Sequence, residues 1–366
     1  MRTLVTCLAF ASHIGIPAAF HSYGRNFVSD EASVRSLLDP SKQNAGICAT
    51  DFWDCRGTAL AKINLSLQVE PESDVKQPLL SLVTLMQKVL WGDHISVKRL
   101  DNAEATILSK HFDTTSDGNV LLMIDETQDD QAFKTPVSFP FDDSNIISRA
   151  LKMVTKDDQK YLVLTRKRVL PGSGLGGGSA DAAFILKNLG DDIKPREYLS
   201  LGSDVSFLAS NENVAVISGM GEQITPLEDL AYKSHVYILI PDEHVSTKGV
   251  FNKTRECLSQ GIFDPGPTPI SVSATSKSAA NFSEFQPFNT LEQCVTKHNV
   301  QHLLEILRKH VPSKRCGMSG SGCSCFLLDV DDAEALRIRQ LYGKPLVIVK
   351  TRFKQAGDGK ADFKYL

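Results

Sequence analysis

Several classes of protein are excluded by what this sequence lacks. It has no basic stripe interleaved with aromatic residues and its formal net charge is −3, so no nucleic acid is expected as a partner. The eight cysteines form no CxxC pair, which argues against a zinc site or a disulfide framework. The apolar run from Leu4 to Ala11 is too short to span a bilayer, so no stable membrane span is predicted. The 366 residues, 42% of them apolar and 23% charged, are typical of a soluble globular protein with room for two domains.

The N-terminal 50 residues differ from the rest of the chain. Met1 and Arg2 precede the apolar run, which has the length of a signal-peptide core and ends in the small-x-small pattern Ala9-Phe10-Ala11. From residue 12 to about 50 the sequence has little periodicity and mixes Ser, Asn, Arg and Lys, which suits a transit segment, although an irregular extension explains it equally well. We therefore predict that residues 1–50 are a signal and transit leader, unstructured and outside the fold.

The most informative stretch runs from Pro171 to Ala183 and reads PGSGLGGGSADAA. Five glycines between positions 172 and 178 do not suit a helix or strand interior, because glycine loses more conformational entropy on ordering than any other residue. The stretch follows an apolar strand-like run, Tyr161 to Leu164, and opens a helix-forming run, which disfavours a flexible linker. A helix N-terminus preceded by bare backbone N–H groups is suited to binding a phosphate.

A dinucleotide-binding oxidoreductase is an alternative interpretation of these glycines, because Gly172-x-Gly174-x-x-Gly177 fits that fingerprint. The fingerprint also requires a second strand ending in an acidic residue about 20 residues further on. Here the helix continues instead into a polar segment from Asn188 to Asp192. The stretch also lacks the Gly-Lys-Ser/Thr ending of a P-loop.

Three further segments contain candidate functional residues or a predicted turn. Thr58 to Glu70 alternates apolar and polar residues, which predicts a half-buried strand with Lys62 and Asn64 side by side on its polar face. By default, a lysine on such a face is solvated. Asp204 lies between small residues and an apolar run, where an unpaired carboxylate would be costly, so we expect it to face a cleft or a cation. Gly92-Asp93 is interpreted as a turn.

A second glycine loop, Met318 to Gly322, precedes another apolar strand about 145 residues after the first loop. The three blocks Ala61 to Leu65 (AKINL), Gly174 to Ala183 and Met318 to Gly322, in this order, resemble the motifs of the GHMP small-molecule kinases. Within that superfamily the chain is most similar to the branch that phosphorylates the 2-hydroxyl of a cytidyl-diphospho-methylerythritol in non-mevalonate isoprenoid synthesis.

The resemblance implies an α+β fold of two lobes. An N-terminal lobe over residues 51–228 would contain a β-α-β unit with a left-handed crossover, and a ferredoxin-like lobe would occupy residues 229–366, with a surface insertion at about 255–285. Such kinases act as monomers or homodimers, and in eukaryotes they are usually directed to a plastid, chloroplast or apicoplast, in agreement with the leader.

The resemblance also implies a site. Lys62 would polarise the attacking hydroxyl of the substrate, and Asp204 would orient it or take its proton. Asn64, Thr247 and Phe251 would contact the substrate. ATP would be held by the two glycine loops, with Mg²⁺ between its phosphates and the hydroxyl of Ser179 near the metal. The nucleotide-binding positions are Gly172, Ser173, Gly174, Leu175, Gly176, Gly177, Gly178, Ser179, Ala180, Ser319, Gly320, Ser321 and Gly322.

One departure from this branch affects the substrate. Where bacterial members have a Tyr-His pair that grips cytosine, the matching positions here are Leu79 and Leu80. A kinase for another small alcohol, of the mevalonate or homoserine type, is therefore an alternative within the superfamily. A non-catalytic member that only binds ligands is a third, and the presence of Lys62 and Asp204 argues against it.

Overall fold

Two β-sheets organise the fold in the computed structural model, which describes residues 26–28, 30–38, 52–69, 82–127, 139–155, 158–190, 197–227, 235–264 and 287–366. The strands in these ranges are β1 (Cys55–Val69), β2 (Leu82–Leu100), β3 (Val120–Asp125), β4 (Lys160–Lys167), β5 (Val214–Gly219), β6 (Gln223–Pro226), β7 (His235–Pro241), β8 (Phe288–Asn289), β9 (Cys316–Met318), β10 (Cys325–Leu328), β11 (Leu346–Arg352) and β12 (Phe363–Tyr365). The helices are α1 (Glu31–Leu38), α2 (Asn102–His111), α3 (Ile146–Val154), α4 (Gly177–Leu189), α5 (Val205–Ala209), α6 (Thr247–Ser259), α7 (His298–His310) and α8 (Asp332–Tyr342).

In the described ranges, the first sheet has seven strands and is built around the long antiparallel pair β1 and β2. Its main order is β3-β4-β2-β1-β8, and β5 pairs with the N-terminal half of β2 and with β6. Strands β3 and β4 are adjacent and parallel, and α3 lies between them in the chain. This is the predicted β-α-β unit, and it places the end of β4 at the entrance to the first glycine loop.

The second sheet is antiparallel, in the order β12-β11-β7-β10-β9. Without β12 this is the strand order of a ferredoxin-like fold, in which two β-α-β units share one antiparallel sheet. The two sheets bury a common apolar core, to which β1 contributes Ala61 and Leu65 and the second sheet contributes Ile238 and Leu327. The predicted two-lobed α+β architecture is confirmed.

The strand predicted from the alternating pattern at residues 58–70 is present as β1, but the prediction that it is half-buried is wrong. Its polar face is covered as completely as its apolar face: Lys62 and Asn64 are 3% and 1% exposed. The apolar face packs in the core, and the polar face lies under the second glycine loop, where the Asn64 N–H donates to Ser319 Oγ at 3.1 Å.

Gly92-Asp93 is not a turn, because both residues lie within the 19-residue strand β2. A Cβ on Gly92 would lie 2.0 Å from the carbonyl oxygen of Ala59 on β1. The register of the two strands shifts between Leu60 and Lys62, directly beside this contact. The glycine is therefore required by close approach of two strands rather than by a change of chain direction.

The prediction that residues 1–50 lie outside the fold is wrong for residues 26–28 and 30–38. Phe27 bridges Met123 of β3, and the Asn26 side chain donates to the carbonyl of Leu121 at 2.8 Å. Helix α1 buries Val34 completely, and its Glu31 carboxylate accepts a 2.6 Å hydrogen bond from the Trp53 indole. This segment packs beside β3 because its apolar side chains, Val28 and Val34, join the same hydrophobic cluster as Val120 and Leu122 of β3. Residues 1–25, and with them the predicted signal segment, lie outside the described residues.

Two other predicted boundaries also shift. Strand β8 lies in the part of the chain assigned to the second lobe, yet it pairs in parallel with β1, Ser66 opposite Phe288. The predicted insertion at 255–285 begins too early, because α6 continues to Ser259, and residues 265–286 lie outside the described residues. None of the helices in the described ranges combines the length and the hydrophobicity that crossing a bilayer requires.

Candidate active site

The first glycine loop connects β4 to α4 and turns on left-handed glycines. Gly172, Gly174 and Gly176 have φ angles of +72°, +79° and +72°. Gly176 is the N-cap residue of α4, and no side chain of the described residues caps this helix. Since the first N–H groups of a helix have no intrahelical acceptor either, the helix start is a site for an anion. It opens into a cavity of about 380 Å³.

The second glycine loop packs directly on the first. A Cβ on Gly174 would lie 2.2 Å from the carbonyl oxygen of Ser319, and a Cβ on Gly320 would lie 2.9 Å from the carbonyl oxygen of Gly174. The Ser319 hydroxyl donates to the Gly174 carbonyl at 3.0 Å, and the Ser324 N–H donates to the Ser173 carbonyl at 3.0 Å. The two loops, far apart in sequence, therefore form one continuous surface, which side chains at these glycines would force apart.

Lys62 and Asp204 meet at this surface. Lys62 Nζ lies 3.3 Å from Asp204 Oδ2 and donates to Asn64 Oδ1 at 2.5 Å and to the Gly174 carbonyl at 2.9 Å. A Cβ on Gly176 would lie 3.0 Å from Lys62 Cε and 3.5 Å from Asp204 Oδ2, so the pair is immediately beside the start of α4. The side chain of Lys62 is 3% exposed and that of Asp204 is 22% exposed. The carboxylate therefore presents one side to the cavity while the ammonium is held by protein acceptors.

Asp204 is positioned by a short helix. It is the N-cap residue of α5, but its side chain makes no capping hydrogen bond. The turn between β5 and β6 packs closely on the residue before it, since a Cβ on Gly221 would lie 2.3 Å from the carbonyl oxygen of Ser203. The carboxylate is directed at Lys62 rather than at its own helix, in agreement with the expectation that it faces a cleft or a cation.

Asn64 is held by its neighbours as well as lining the cavity. Its Oδ1 accepts from Lys62, and its Nδ2 donates to Thr84 Oγ1 at 2.8 Å. The Thr84 hydroxyl in turn donates to the Ser66 carbonyl at 2.6 Å. Thr84 was not predicted, because it lies in an apolar segment of β2 whose sequence gives no functional signal.

Thr247 and Phe251 lie one helical turn apart at the start of α6 and both line the cavity. The Thr247 hydroxyl lies 3.0 Å from that of Ser321 in the second glycine loop. The predicted substrate residues are thus brought to the same cavity as Lys62 and Asp204. The wall beside them is apolar and was not predicted as a unit; its residues are Leu67, Leu82, Met86, Leu170, Ile217 and Leu291. Leu79 and Leu80 lie outside the described residues.

Ser179 also lines the cavity, and a Cβ on Gly202 would lie 3.7 Å from its Oγ, which places this hydroxyl beside the turn that carries Asp204. In the described part of the chain, no three His, Cys, Asp or Glu side chains are grouped to hold a metal ion. Four predicted nucleotide-binding residues do not line the cavity but support it: Leu175, Ala180, Ser319 and Gly322. Leu175, for example, is fully buried, and its carbonyl accepts from the Lys62 N–H at 3.0 Å.

The fold and the site together define the class of protein. This is a GHMP-type small-molecule kinase, with two lobes, a helix that starts after a glycine loop, and a Lys–Asp pair beside that helix start. A solved 4-(cytidine 5'-diphospho)-2C-methyl-D-erythritol kinase has the same fold, with a TM-score of 0.52 over 81% of this chain and 99% of that chain, at 20% identity. No protein-family model matches the chain.

Relatives in sequence identify the family more narrowly than the fold does. A 4-diphosphocytidyl-2-C-methyl-D-erythritol kinase of Gloeobacter violaceus is 32% identical over 239 residues, which are 60% of this chain and 77% of the relative. One of Methylacidiphilum infernorum is 29% identical over 285 residues, which are 74% of this chain and 84% of the relative. The chain belongs to the 4-diphosphocytidyl-2-C-methyl-D-erythritol kinase family.

Proposed function

We propose that this chain transfers the γ-phosphoryl group of ATP to the 2-hydroxyl of 4-diphosphocytidyl-2-C-methyl-D-erythritol. The relatives from two organisms support the substrate by their names. The observation that carries the chemistry is the Lys62–Asp204 pair, 3.3 Å apart, beside an uncapped helix start in one cavity. Phosphoryl transfer depends mainly on such positioning and charge stabilisation, with little covalent chemistry by the protein.

The first glycine loop fits the phosphates of ATP. In the described part of the chain, no side chain caps the N–H groups of Gly177, Gly178 and Ser179 at the start of α4, and the left-handed glycines before them let bare backbone face the cavity. ATP with Mg²⁺ supplies the transferable phosphoryl group and neutralises charge on its phosphates. We propose the Ser179 hydroxyl as the protein ligand nearest the metal, which is consistent with its place beside the turn that carries Asp204.

Lys62 and Asp204 would act on the hydroxyl of the acceptor. Asp204 Oδ2 can accept the proton of that hydroxyl and align its oxygen, since the carboxylate is exposed to the cavity. The Lys62 ammonium, fixed by Asn64 and by the Gly174 carbonyl, places a positive charge where the alkoxide develops. Both groups are held before substrate binds, so little reorganisation is required.

The rest of the cavity suits the substrate. Thr247 and Asn64 place polar groups beside the hydroxyls of the methylerythritol part, and Phe251 offers an aromatic ring to the cytosine. The apolar wall defined above would cover the other side of the ligand. Since polar hydrogen bonds fix orientation and apolar contacts contribute affinity, this combination fits a polar nucleotide-linked alcohol.

The test is ADP release from ATP, Mg²⁺ and 4-diphosphocytidyl-2-C-methyl-D-erythritol, measured with Asp204→Asn and with the surface control Asp158→Asn. We expect turnover by the wild type and the control, and a loss of about a hundredfold or more in Asp204→Asn. Turnover of mevalonate or homoserine, with none of the cytidyl substrate, would leave the kinase class standing and refute the substrate. Equal turnover by all three proteins would refute the role of Asp204.

The location of the enzyme is a separate proposal. The apolar run Leu4 to Ala11 and the polar segment after it support delivery to a plastid by a signal and transit leader. A fusion of residues 1–11 to a fluorescent protein in a plastid-bearing cell tests the signal portion, and residues 1–25, which end before the first residue that packs in the fold, test the whole leader. Entry into the secretory route with the first and into the plastid with the second is expected; cytosolic fluorescence with both would refute the proposal.

A further inference from the structure

The helix that begins at Asp204 does not by itself fix the position of this carboxylate. Helix α5 has only five residues, and in the described part of the chain the Asp204 side chain makes no capping hydrogen bond. A helix this short gains little stability from its own hydrogen bonds, so its position depends on contacts with neighbouring elements. The Lys62 ammonium contacts the carboxylate but not the backbone that carries it. The backbone at Ser203 and Asp204 therefore depends on another support.

The turn between β5 and β6 lies directly against this backbone. A Cβ on Gly221 would be 2.3 Å from the carbonyl oxygen and 2.8 Å from the Cα of Ser203, so the two backbones are in contact. A hairpin turn often requires glycine at positive φ, and Gly219 and Gly221 have φ angles of +72° and +111°. Turn formation does not, however, require a second backbone at this distance. The contact with Ser203 is therefore a property of the site rather than of the hairpin.

Glu222 holds the turn in its conformation. Its Oε2 accepts a hydrogen bond from the Met220 N–H at 2.8 Å, and its Oε1 would lie 2.5 Å from a Cβ on Gly219. Gly219 and Gly221 line the cavity that contains Asp204, whereas Glu222 is not among the described residues that line it. The Glu222 carboxylate thus supports the turn from outside the cavity.

We infer that Glu222 is a positioning residue for phosphoryl transfer, because it keeps the β5–β6 turn in the conformation that holds Asp204 beside Lys62. The inference rests on the proposed function, since Asp204 is the proposed base. Glu222 lies outside the cavity, so it acts through the turn and the backbone of Ser203 rather than on the substrate.

The part of Glu222 that matters for this role is its acceptor oxygen. A glutamine side chain also has an acceptor oxygen, whereas alanine has none. In Glu222→Ala the Met220 N–H loses its acceptor, and the two glycines give the turn more conformational freedom than other residues would. A shift of the turn would move the Ser203 backbone and the base next to it. A displacement of a reacting group by about 1 Å can cost about a hundredfold in rate.

The first test compares Glu222→Ala with Glu222→Gln by ADP release in the presence of ATP, Mg²⁺ and the cytidyl substrate. We expect Glu222→Ala to lower kcat about tenfold and to change the KM for ATP less than about twofold, because the glycine loops are not altered. Glu222→Gln is the matched control and should keep kcat within about threefold of the wild type, since its amide oxygen can accept from the Met220 N–H. An unchanged kcat in Glu222→Ala, or an equal loss in both variants, would overturn the inference.

The second test asks whether Glu222 acts through Asp204. In the Asp204→Asn background, Glu222→Ala should lower the residual kcat less than about twofold, because the base that the turn positions is already absent. A general structural role would instead give losses that multiply. A further loss of about tenfold in the double variant would therefore overturn the action through Asp204.

The third test requires no substrate, so its result does not depend on the proposed reaction. The N–H groups of Val205 and Leu208 donate to the carbonyls of Gly202 and Asp204, at 3.2 and 3.0 Å, and their hydrogen exchange reports on the backbone around the base. We expect this exchange to be several-fold faster in Glu222→Ala, with exchange in α4 unchanged. If the wild type does not phosphorylate the cytidyl substrate, the proposed function fails, and this exchange still decides whether the turn holds the backbone of Asp204.

A second variant covers the case in which Glu222→Ala does not fold. Gly221→Ala introduces the Cβ that would meet Ser203 and should also accelerate exchange around Asp204. The control Gly261→Ala, also at positive φ but with no described atom within 4 Å of the added Cβ, should leave this exchange unchanged. Unchanged exchange around Asp204 in Gly221→Ala or Glu222→Ala, or equally faster exchange throughout the first lobe, would overturn the inference.

Discussion

Lys88 provides a prediction whose size can be worked out from its surroundings. It is 6% exposed, its Nζ donates to the Ser210 carbonyl at 2.8 Å, and it lies 5.2 Å from the centre of the Phe207 ring. Burial, assisted by the nearby Lys187 ammonium, lowers the pKa of Lys88 to about 7. Ser210 ends the helix that begins at Asp204, so Lys88 contacts the far end of the element that carries the proposed base.

The sign of the pH effect follows from proton binding. Between pH 7 and the unfolded pKa of about 10.4, the unfolded chain keeps the proton on this lysine while the folded chain releases it, so the free energy of unfolding rises with pH. The destabilisation from burying the ammonium is complete below pH 7 and is relieved above it. With a maximum slope of about 1.4 kcal/mol per pH unit, the gain from pH 7 to pH 9 is about 2 kcal/mol.

The perturbation is Lys88→Met, and the assay is urea unfolding of variant and wild type at pH 7, 8 and 9. Other titrating groups are shared, so the difference between the two proteins isolates Lys88, and the wild type should gain about 2 kcal/mol on the variant over this range. The exposed Lys110→Met is the matched control and should show no such trend. Parallel pH curves for wild type and Lys88→Met would refute the reasoning.

Three other predictions concern the site. Gly174→Ala should raise the KM for ATP about tenfold or more, because its Cβ would meet the Ser319 carbonyl at 2.2 Å. The control Gly357→Ala, also at positive φ but with no described atom within 4 Å of the added Cβ, should leave this KM unchanged. Equal effects of the two variants on the KM would refute the importance of the loop contact. Lys62→Met should lower kcat about a hundredfold, measured as ADP release, and a change confined to KM would contradict a role in the transition state. Asn289→Ala removes two hydrogen bonds to carbonyls of the second glycine loop, at 2.9 and 2.7 Å. It should lower the free energy of unfolding, measured in urea, by about 1–3 kcal/mol. An unchanged free energy of unfolding would show that these bonds contribute little to stability.

Local patterns in the sequence predicted the parts of the site that depend on local geometry. The period-two alternation located β1, and the run of glycines before small residues located the start of α4. Glycine is informative here because a left-handed φ and a close approach of backbones both exclude larger residues. Both loops were therefore predicted correctly as loops, although the sequence alone gave no contact between them.

Contacts between distant segments were not predictable by the same reasoning. Gly92 was interpreted as a turn residue because glycine does not distinguish a turn from a close strand contact, and only the position of Ala59 decides between them. Similarly, Lys62 was expected to be solvated by default on an alternating strand, whereas its ammonium donates to the carbonyl of Gly174 in the first glycine loop, 112 residues further along the chain. Thr84 gave no signal because its role arises from partners on another strand, β1.

The two-residue strand β8 affects how this protein could recombine with its relatives. The chain completes its first sheet only after it has entered the second lobe, since Phe288 and Asn289 return to pair with β1. The next residue, Thr290, accepts a 3.0 Å hydrogen bond from the Val69 N–H. A single crossover between the lobes would therefore join β1 from one parent to β8 from the other. Chimeras that exchange substrate specificity should instead carry β1 and residues 287–294 from the same parent.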